Sequence, residues 1–235
     1  MTTIADNLQG IHARIANACE AAGRPAGSVV LLAVSKTFGV DAVVQAHAAG
    51  QSAFGENYIQ EAVEKITALA HLPLQWHCIG PVQSNKSRLV AEHFDWVHTV
   101  DRLKIAQRLS EQRPAHLAPL QVCIQVNVDG GATKSGVAPG DALELARSVA
   151  KLPGLRLRGL MCIPEFAPDF IAACAVFTGA RALFDQINLV GMTLDTLSMG
   201  MSADLEAAIA SGSTMVRVGS AIFGSRTTSW ALPAA

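Results

Sequence analysis

The chain has 235 residues, half of them apolar, and its 18 basic and 19 acidic side chains leave a formal charge of −1. Such a chain suits one well-cored α/β domain over 1–235, and the balanced charge, without basic blocks or basic-aromatic interleaving, excludes an electrostatic nucleic-acid surface. The first residues lack a secretion signal, no run reads as a membrane span, and five cysteines without a CxxC pair read as small core residues in a reducing, cytoplasmic setting.

Residues 3–22 place Ile4, Leu8, Ile11, Ile15 and Cys19 at steps of three and four, behind Thr3-x-x-Asp6 and ahead of Gly23 and Pro25. A capping-box start and a glycine-proline stop predict an amphipathic helix. Strand-like runs then alternate with helical patterns. A strand over 29–36 precedes a helix over 41–49 closed by Gly50; a strand over 53–57 precedes a helix over 58–70 closed by Pro73. A strand over 74–80 is followed by Ser84 or Asn85 as the start of a helix through Glu92, and a strand over 96–100 by a helix over 101–112 ended by Pro114. A strand over 120–128 precedes Gly130-Gly131 and a helix over 140–151; a strand over 155–163 precedes a helix near 169–189. A seventh strand over 194–201 leads to a short helix over 204–210, and 214–219 is the eighth.

Several of these runs are apolar throughout and therefore buried on both faces, which predicts parallel strands in a single (β/α)8 TIM-type barrel with an extra N-terminal helix. A doubly wound open sheet competes. Its glycine fingerprint after the first strand is missing, because that strand runs into Ser35-Lys36-Thr37-Phe38-Gly39.

In a barrel the C-terminal strand ends share one mouth, and there the sequence places Lys36, Asn57, Gln83 to Lys86, Met199 to Ser202, and Arg217 to Ser220. A lysine at the end of a buried strand is a candidate Schiff-base nucleophile, since desolvation favours its neutral amine; a surface ion pair is the alternative. Gly219-Ser220 before a short helical turn fits a phosphate cup, although a tight turn explains the same glycine. Alternation sets Arg217 on the side of Met215 and Gly219, toward the mouth, with an inward ion pair to Glu56 or Glu165 as the competing role. Asn57 taken alone reads as a helix N-cap, Trp76, His77 and Trp96 as core or rim, and Lys134 as a solvated loop residue. The seven histidines show no ligand spacing, so no metal is expected.

The segments AVSKT at 33–37, FGENYIQEAVEK at 54–65, WHCIGPVQSNKSRLV at 76–90, RGLMCIP at 158–164 and the long run at 197–226 resemble the YggS/PROSC family of pyridoxal phosphate homeostasis proteins. The resemblance implies a barrel similar to the N-terminal domain of alanine racemase, with pyridoxal 5′-phosphate (PLP) held as an aldimine on Lys36. It implies phosphate contacts at Ser202, Gly219 and Ser220, the pyridine nitrogen at Arg217, and further cofactor contacts at Asn57 and Met199. Ser220 stands where many members have threonine. An arginine at the pyridine nitrogen disfavours ring protonation and weakens the electron sink. A two-base racemase also needs an opposing acid, and the single tyrosine, Tyr58, falls at a helix start. The expected role is therefore intracellular cofactor homeostasis without dedicated turnover and without catalytic residues, in a monomer or weak dimer with PLP-dependent apo-enzymes as recipients. A PLP-dependent amino-acid racemase and a Schiff-base aldolase acting on a sugar phosphate are the rival readings.

Overall fold

Thr3 and Asp6 exchange hydrogen bonds, the Asp6 N–H donating to the Thr3 hydroxyl and the Thr3 N–H to the Asp6 carboxylate, so the expected capping box opens helix α1 (Ile4–Ala21). From there the computed structural model, which describes residues 2–131 and 134–224, alternates strand and helix. The elements are β1 (Val30–Val34), α2 (Val40–Ala48), β2 (Ala53–Glu56), α3 (Ile59–Ala68), β3 (Gln75–Cys78), α4 (Ser87–His93), β4 (Trp96–Val100) and α5 (Leu103–Gln112). They continue with β5 (Leu120–Gln125), α6 (Ala142–Val149), β6 (Leu155–Met161), α7 (Phe170–Leu189), β7 (Thr196–Met201), α8 (Leu205–Ala210), β8 (Met215–Val218) and α9 (Ser220–Phe223). The eight strands pair in parallel in sequence order, and β8 returns to β1 to close the barrel.

Alternation along the strands divides the apolar side chains. Leu32, Val34, Ala53, Ile79 and Met215 form one cluster, and Trp96, Cys123 and Met161 another, while a third and largest cluster joins residues such as Ala33, Phe54, Val97 and Leu197 to the helices. The extra helix α1 lies against α2, α8 and α9. Its Asn7 amide donates to Ile222 O at 2.8 Å, and Arg14 donates to Glu206 at 2.8 Å and to Ser202 O at 3.1 Å. The helix thus braces the segments that follow β7 and β8.

Three expectations are corrected. Helix α4 starts at Ser87 behind Lys86, so neither Ser84 nor Asn85 is its cap; the Ser84 carbonyl instead accepts from the Ser87 hydroxyl and from Arg108. Helix α7 is long and apolar enough by length and composition to cross a membrane, which the run-by-run reading did not register. In the barrel it buries Ala173, Phe177, Ala180, Phe184 and Ile187, and carries an Arg181–Asp185 ion pair. Asn57 precedes the N-cap of α3, which is Tyr58. Ser225 and Arg226 of the family-like segment, and Ala132 and Thr133 of the loop before Lys134, lie outside the described residues.

The tightest strand contact is at Gly159, where a Cβ would stand 1.6 Å from Thr196 O on the paired strand. Gly159→Ala must therefore push β6 and β7 apart. Ordinary overpacking costs roughly 1–3 kcal/mol, and this substitution is expected to exceed that range as a fall in the urea midpoint at unchanged slope.

Candidate functional site

The C-terminal strand ends open onto a cavity of about 500 Å³ that brings together Lys36, Asn57, Ser202, Arg217, Gly219 and Ser220. Val34, Phe38, Ile79, Ile163 and Met201 supply apolar walls. Residues spread from 34 to 224 thus share one pocket, whose size falls in the usual range for small-ligand sites.

Lys36 follows β1 on the same parity as Leu32 and Val34 and lines the cavity, while Ser35, of opposite parity, and Thr37, in the turn after the strand, bond to other groups. Those neighbours are held by a buried ionic cluster between the barrel and α3. Lys65 Nζ donates to Ser35 O at 2.9 Å and pairs with Glu56 at 2.8 Å and Glu61 at 2.6 Å. The Ser35 hydroxyl donates to Glu56 at 2.7 Å, and the Thr37 N–H donates to Glu61 at 2.8 Å. Thr37 has φ of 68°, a left-handed conformation that a β-branched residue adopts at a cost of about 1–3 kcal/mol. The cluster holds this strained turn in place. Burial lifts the Glu56 carboxyl above its ordinary pKa, opposed by the Lys65 charge.

Arg217 is buried inside the barrel, as alternation predicted, and among the described residues no carboxylate is hydrogen-bonded to it. Nη1 donates to Ser198 O at 2.7 Å and Ser198 Oγ at 2.8 Å, and Nη2 to Cys162 O at 2.9 Å. The Glu56 and Glu165 alternatives are thereby set aside. Burial lowers the guanidinium pKa below its ordinary value. Among the described residues its bonds use three of its five N–H groups, all on the barrel wall, and it lines the cavity.

Gly219 carries no positive φ. A Cβ there would meet Val34 O at 3.1 Å, so glycine lets β8 pass close to β1 just below the Ser220 turn. Phe38 and Phe223, with ring centroids 5.1 Å apart, join the turn after β1 to α9. Asn57 lines the cavity, and its Oδ1 is buried without a hydrogen-bond partner among the described residues.

Met199 and the Gln83 to Lys86 stretch do not line this cavity. Met199 alternates outward from Ser198 and is fully buried in the cluster shared with the helices. The β7–β8 register then shifts between Ser198 and Met201, and this bulge brings Met201 to the mouth in its place. Strand alternation read from the sequence carries no sign of such a shift.

A lysine amine, an uncompensated guanidinium, two hydroxyls beside a glycine, an orphaned amide oxygen and apolar walls fit a flat ligand bearing an electrophilic carbonyl and an anionic group. Pyridoxal 5′-phosphate has that chemistry.

A family profile described as alanine racemase, N-terminal domain, matches residues 7–227. A pyridoxal phosphate homeostasis protein of Pseudomonas aeruginosa is 61% identical over 226 residues, 96% of this chain and 97% of its own length. One from Escherichia coli is 52% identical over 229 residues, 96% of this chain and 98% of its own. PipY of Synechococcus elongatus, solved with PLP bound, aligns at TM-score 0.83 and 36% identity over 94% of this chain and 100% of its own. An alanine racemase of Clostridium difficile shares the fold at TM-score 0.72 and 16% identity, over 95% of this chain and 58% of its own.

Lys65→Met should leave Glu56 buried without its cation and release the Lys36 turn. Breaking a buried pair in this way is expected to cost about 3–5 kcal/mol, measured by urea unfolding. A loss below about 1 kcal/mol would show that Lys65 does not hold the turn.

Proposed function

The chain belongs to the YggS/PROSC family of pyridoxal phosphate homeostasis proteins, and from that membership and the mouth geometry we propose that it binds PLP on Lys36 and acts in intracellular cofactor homeostasis. The carrying observation is that Lys36, Arg217, Gly219, Ser220, Ser202 and Asn57 line one cavity. In this reading Lys36 Nζ would hold the cofactor through its aldehyde carbon, the aldehyde oxygen leaving as water, and Arg217 would lie at the pyridine nitrogen. Ser202, Gly219 and Ser220 take the phosphate, and Asn57 makes a further contact. The proposed setting is cytoplasmic, with cofactor-free PLP-dependent enzymes as recipients.

When bound, PLP supplies an electrophilic aldehyde and an electron-withdrawing ring. The protein limits what that ring can do. Arg217 can only donate hydrogen bonds, so it favours a ring nitrogen that accepts, unprotonated. The apolar walls keep water from the Lys36 bond, and α1, through Arg14 on Ser202 O, steadies the phosphate end.

Moving a proton on both faces of a substrate carbon takes two acid-base groups. Among the described lining residues Lys36 is the one amine or carboxyl group suited to that work, since Arg217 stays charged. The single tyrosine, Tyr58, is half-exposed beside α3 and outside the cavity lining. These features favour a binding and supply role over racemisation.

Lys36→Ala should abolish covalent attachment while leaving the fold intact, because Lys36 is partly exposed at the mouth and outside the hydrophobic core clusters. Borohydride reduction of the loaded wild type, followed by peptide mass mapping, should mark Lys36. Labelling mainly at Lys86 or Lys134 would overturn the assignment, and conversion of L- to D-alanine by the loaded protein would favour the racemase.

Ser202→Ala combined with Ser220→Ala removes two phosphate donors and leaves Lys36 and Arg217 in place. Two charge-assisted hydrogen bonds at roughly 1.5–3 kcal/mol each predict about a hundredfold or greater loss of PLP affinity. Pyridoxal without its phosphate should respond little. Equal weakening of both ligands would place the phosphate elsewhere.

A further inference from the structure

Two histidines absent from the cavity lining connect it to the far end of the barrel. Arg217 Nη1 lies 2.8 Å from Ser198 Oγ, Ser198 Oγ 3.0 Å from His98 Nδ1, and His98 Nε2 2.9 Å from His77 Nδ1. His77 Nε2 lies 3.0 Å from Gln75 Oε1. Ser198, His98 and His77 are wholly buried, whereas Gln75, the first residue of β3, is exposed. One end of this line is therefore in the mouth and the other reaches solvent at the opposite rim.

The order of protons along the line is set at its Gln75 end, where an amide oxygen can only accept from His77 Nε2. At the other end a guanidinium only donates, so Ser198 Oγ accepts from Arg217 and, with both rings neutral, gives its own proton to His98 Nδ1. His98 then carries its proton on Nε2 and donates to His77 Nδ1. His77 in turn is protonated on Nε2 and donates to Gln75 Oε1. A second proton on His77 Nδ1 would set donor against donor at His98 Nε2, and one on His98 Nδ1 would turn the Ser198 hydroxyl proton away from the line.

Desolvation favours the neutral rings as well: burial pushes His77 down to about 3 and His98 well below its ordinary value, where His77 and the Arg217 charge add to the effect. His77 is stacked on Trp96 at 5.2 Å between ring centroids, with planes 9° apart, which fixes its orientation.

We propose that Ser198, His98 and His77 are positioning residues for Arg217, forming a one-directional hydrogen-bond chain that holds the guanidinium toward the ring nitrogen of bound cofactor and keeps that nitrogen unprotonated. The proposal rests on the placement of the cofactor ring at Arg217 given under the proposed function.

Nitrogen-15 NMR of histidine-labelled, cofactor-free protein at neutral pH tests the chain directly. His77 and His98 should both show a protonated Nε2 and a bare Nδ1; a protonated Nδ1 on either ring, or an imidazolium, overturns the proposal. Ser198→Ala removes the donor to His98 and should move the resonances of His98 and, one bond further on, His77, while Ser198→Thr keeps the hydroxyl and should restore them.

In PLP-loaded protein, Ser198→Ala should move the pH midpoint of the cofactor absorbance by about half a unit or more, a roughly threefold change in proton affinity. Ser198→Thr should stay near the wild type. Histidine resonances unmoved by Ser198→Ala, in protein shown to be folded, overturn the chain. An absorbance midpoint insensitive to Ser198→Ala but moved by Arg217→Gln removes the positioning role alone. Insensitivity to both substitutions sets the ring away from Arg217 and removes the reading on which the role rests.

Discussion

A guanidinium buried in a barrel without a carboxylate hydrogen-bonded to it is the constraint on which the rest of this mouth depends. Desolvating a charge is expensive, and a cation so placed survives only where fixed dipoles replace water. Arg217 obtains them from the Ser198 and Cys162 carbonyls and the Ser198 hydroxyl, at 2.7 to 2.9 Å. The partners come from within β7 and from the residue that follows β6, so pairing of β6, β7 and β8 in the closed barrel is what creates the site. A neutralising carboxylate would have stabilised the arginine at the expense of its pull on a ligand; dipoles leave the positive charge available to the cavity.

The same logic recurs on the outer face of the barrel with a different solution. Lys65 and Glu56, both buried between β2 and α3, compensate each other, and each also bonds Ser35, while Glu56 Oε2 is buried without a hydrogen-bond partner among the described residues. Glu61 extends the cluster to the Thr37 N–H. The residues on either side of Lys36 are thus fixed by charge-assisted bonds while Lys36 itself faces inward. On the other side of the mouth, α1 grips the segments after β7 and β8 through Arg14 and Asn7, and Phe38 against Phe223 closes the seam between the two halves. Lys65, Glu61, Arg14 and Asn7, which do not line the cavity, thus brace the Lys36 turn and the segments that follow β7 and β8.

Chain-local physics was legible in the sequence. Thr3 with Asp6 announces the first helix because both partners of a capping box lie within one turn. The apolar runs and their glycine and proline breaks give the strand-helix alternation, and strand parity turns Arg217 and Lys36 inward. The family-like segments add the identity of the pocket's residues. Where the reading failed, the deciding contact lay elsewhere in the fold: Ser84 and Asn85 lost the cap to a turn packed on Arg108, and Asn57 lies before the α3 cap with its Oδ1 buried. Met199 gave way to Met201 because a register shift against β8 re-aims the strand end. In helix α7, composition alone could not separate a membrane-length helix from a barrel helix, since both need a long apolar run.

The sequence by itself determined the parallel barrel, the extra N-terminal helix and the strand ends from which Lys36, Arg217, Gly219 and Ser220 project, because periodicity and local stops act within a few residues of each other. Only the tertiary structure decided that Lys65 serves the Lys36 turn and that His77 and His98 stand in line with Arg217. Those partners come from strands and helices separated by up to 100 residues, as in the bond from His98 to Ser198. A buried histidine or lysine looks the same in a sequence whether it fills space or completes a hydrogen-bond chain; closure of the barrel supplies the partner that distinguishes them.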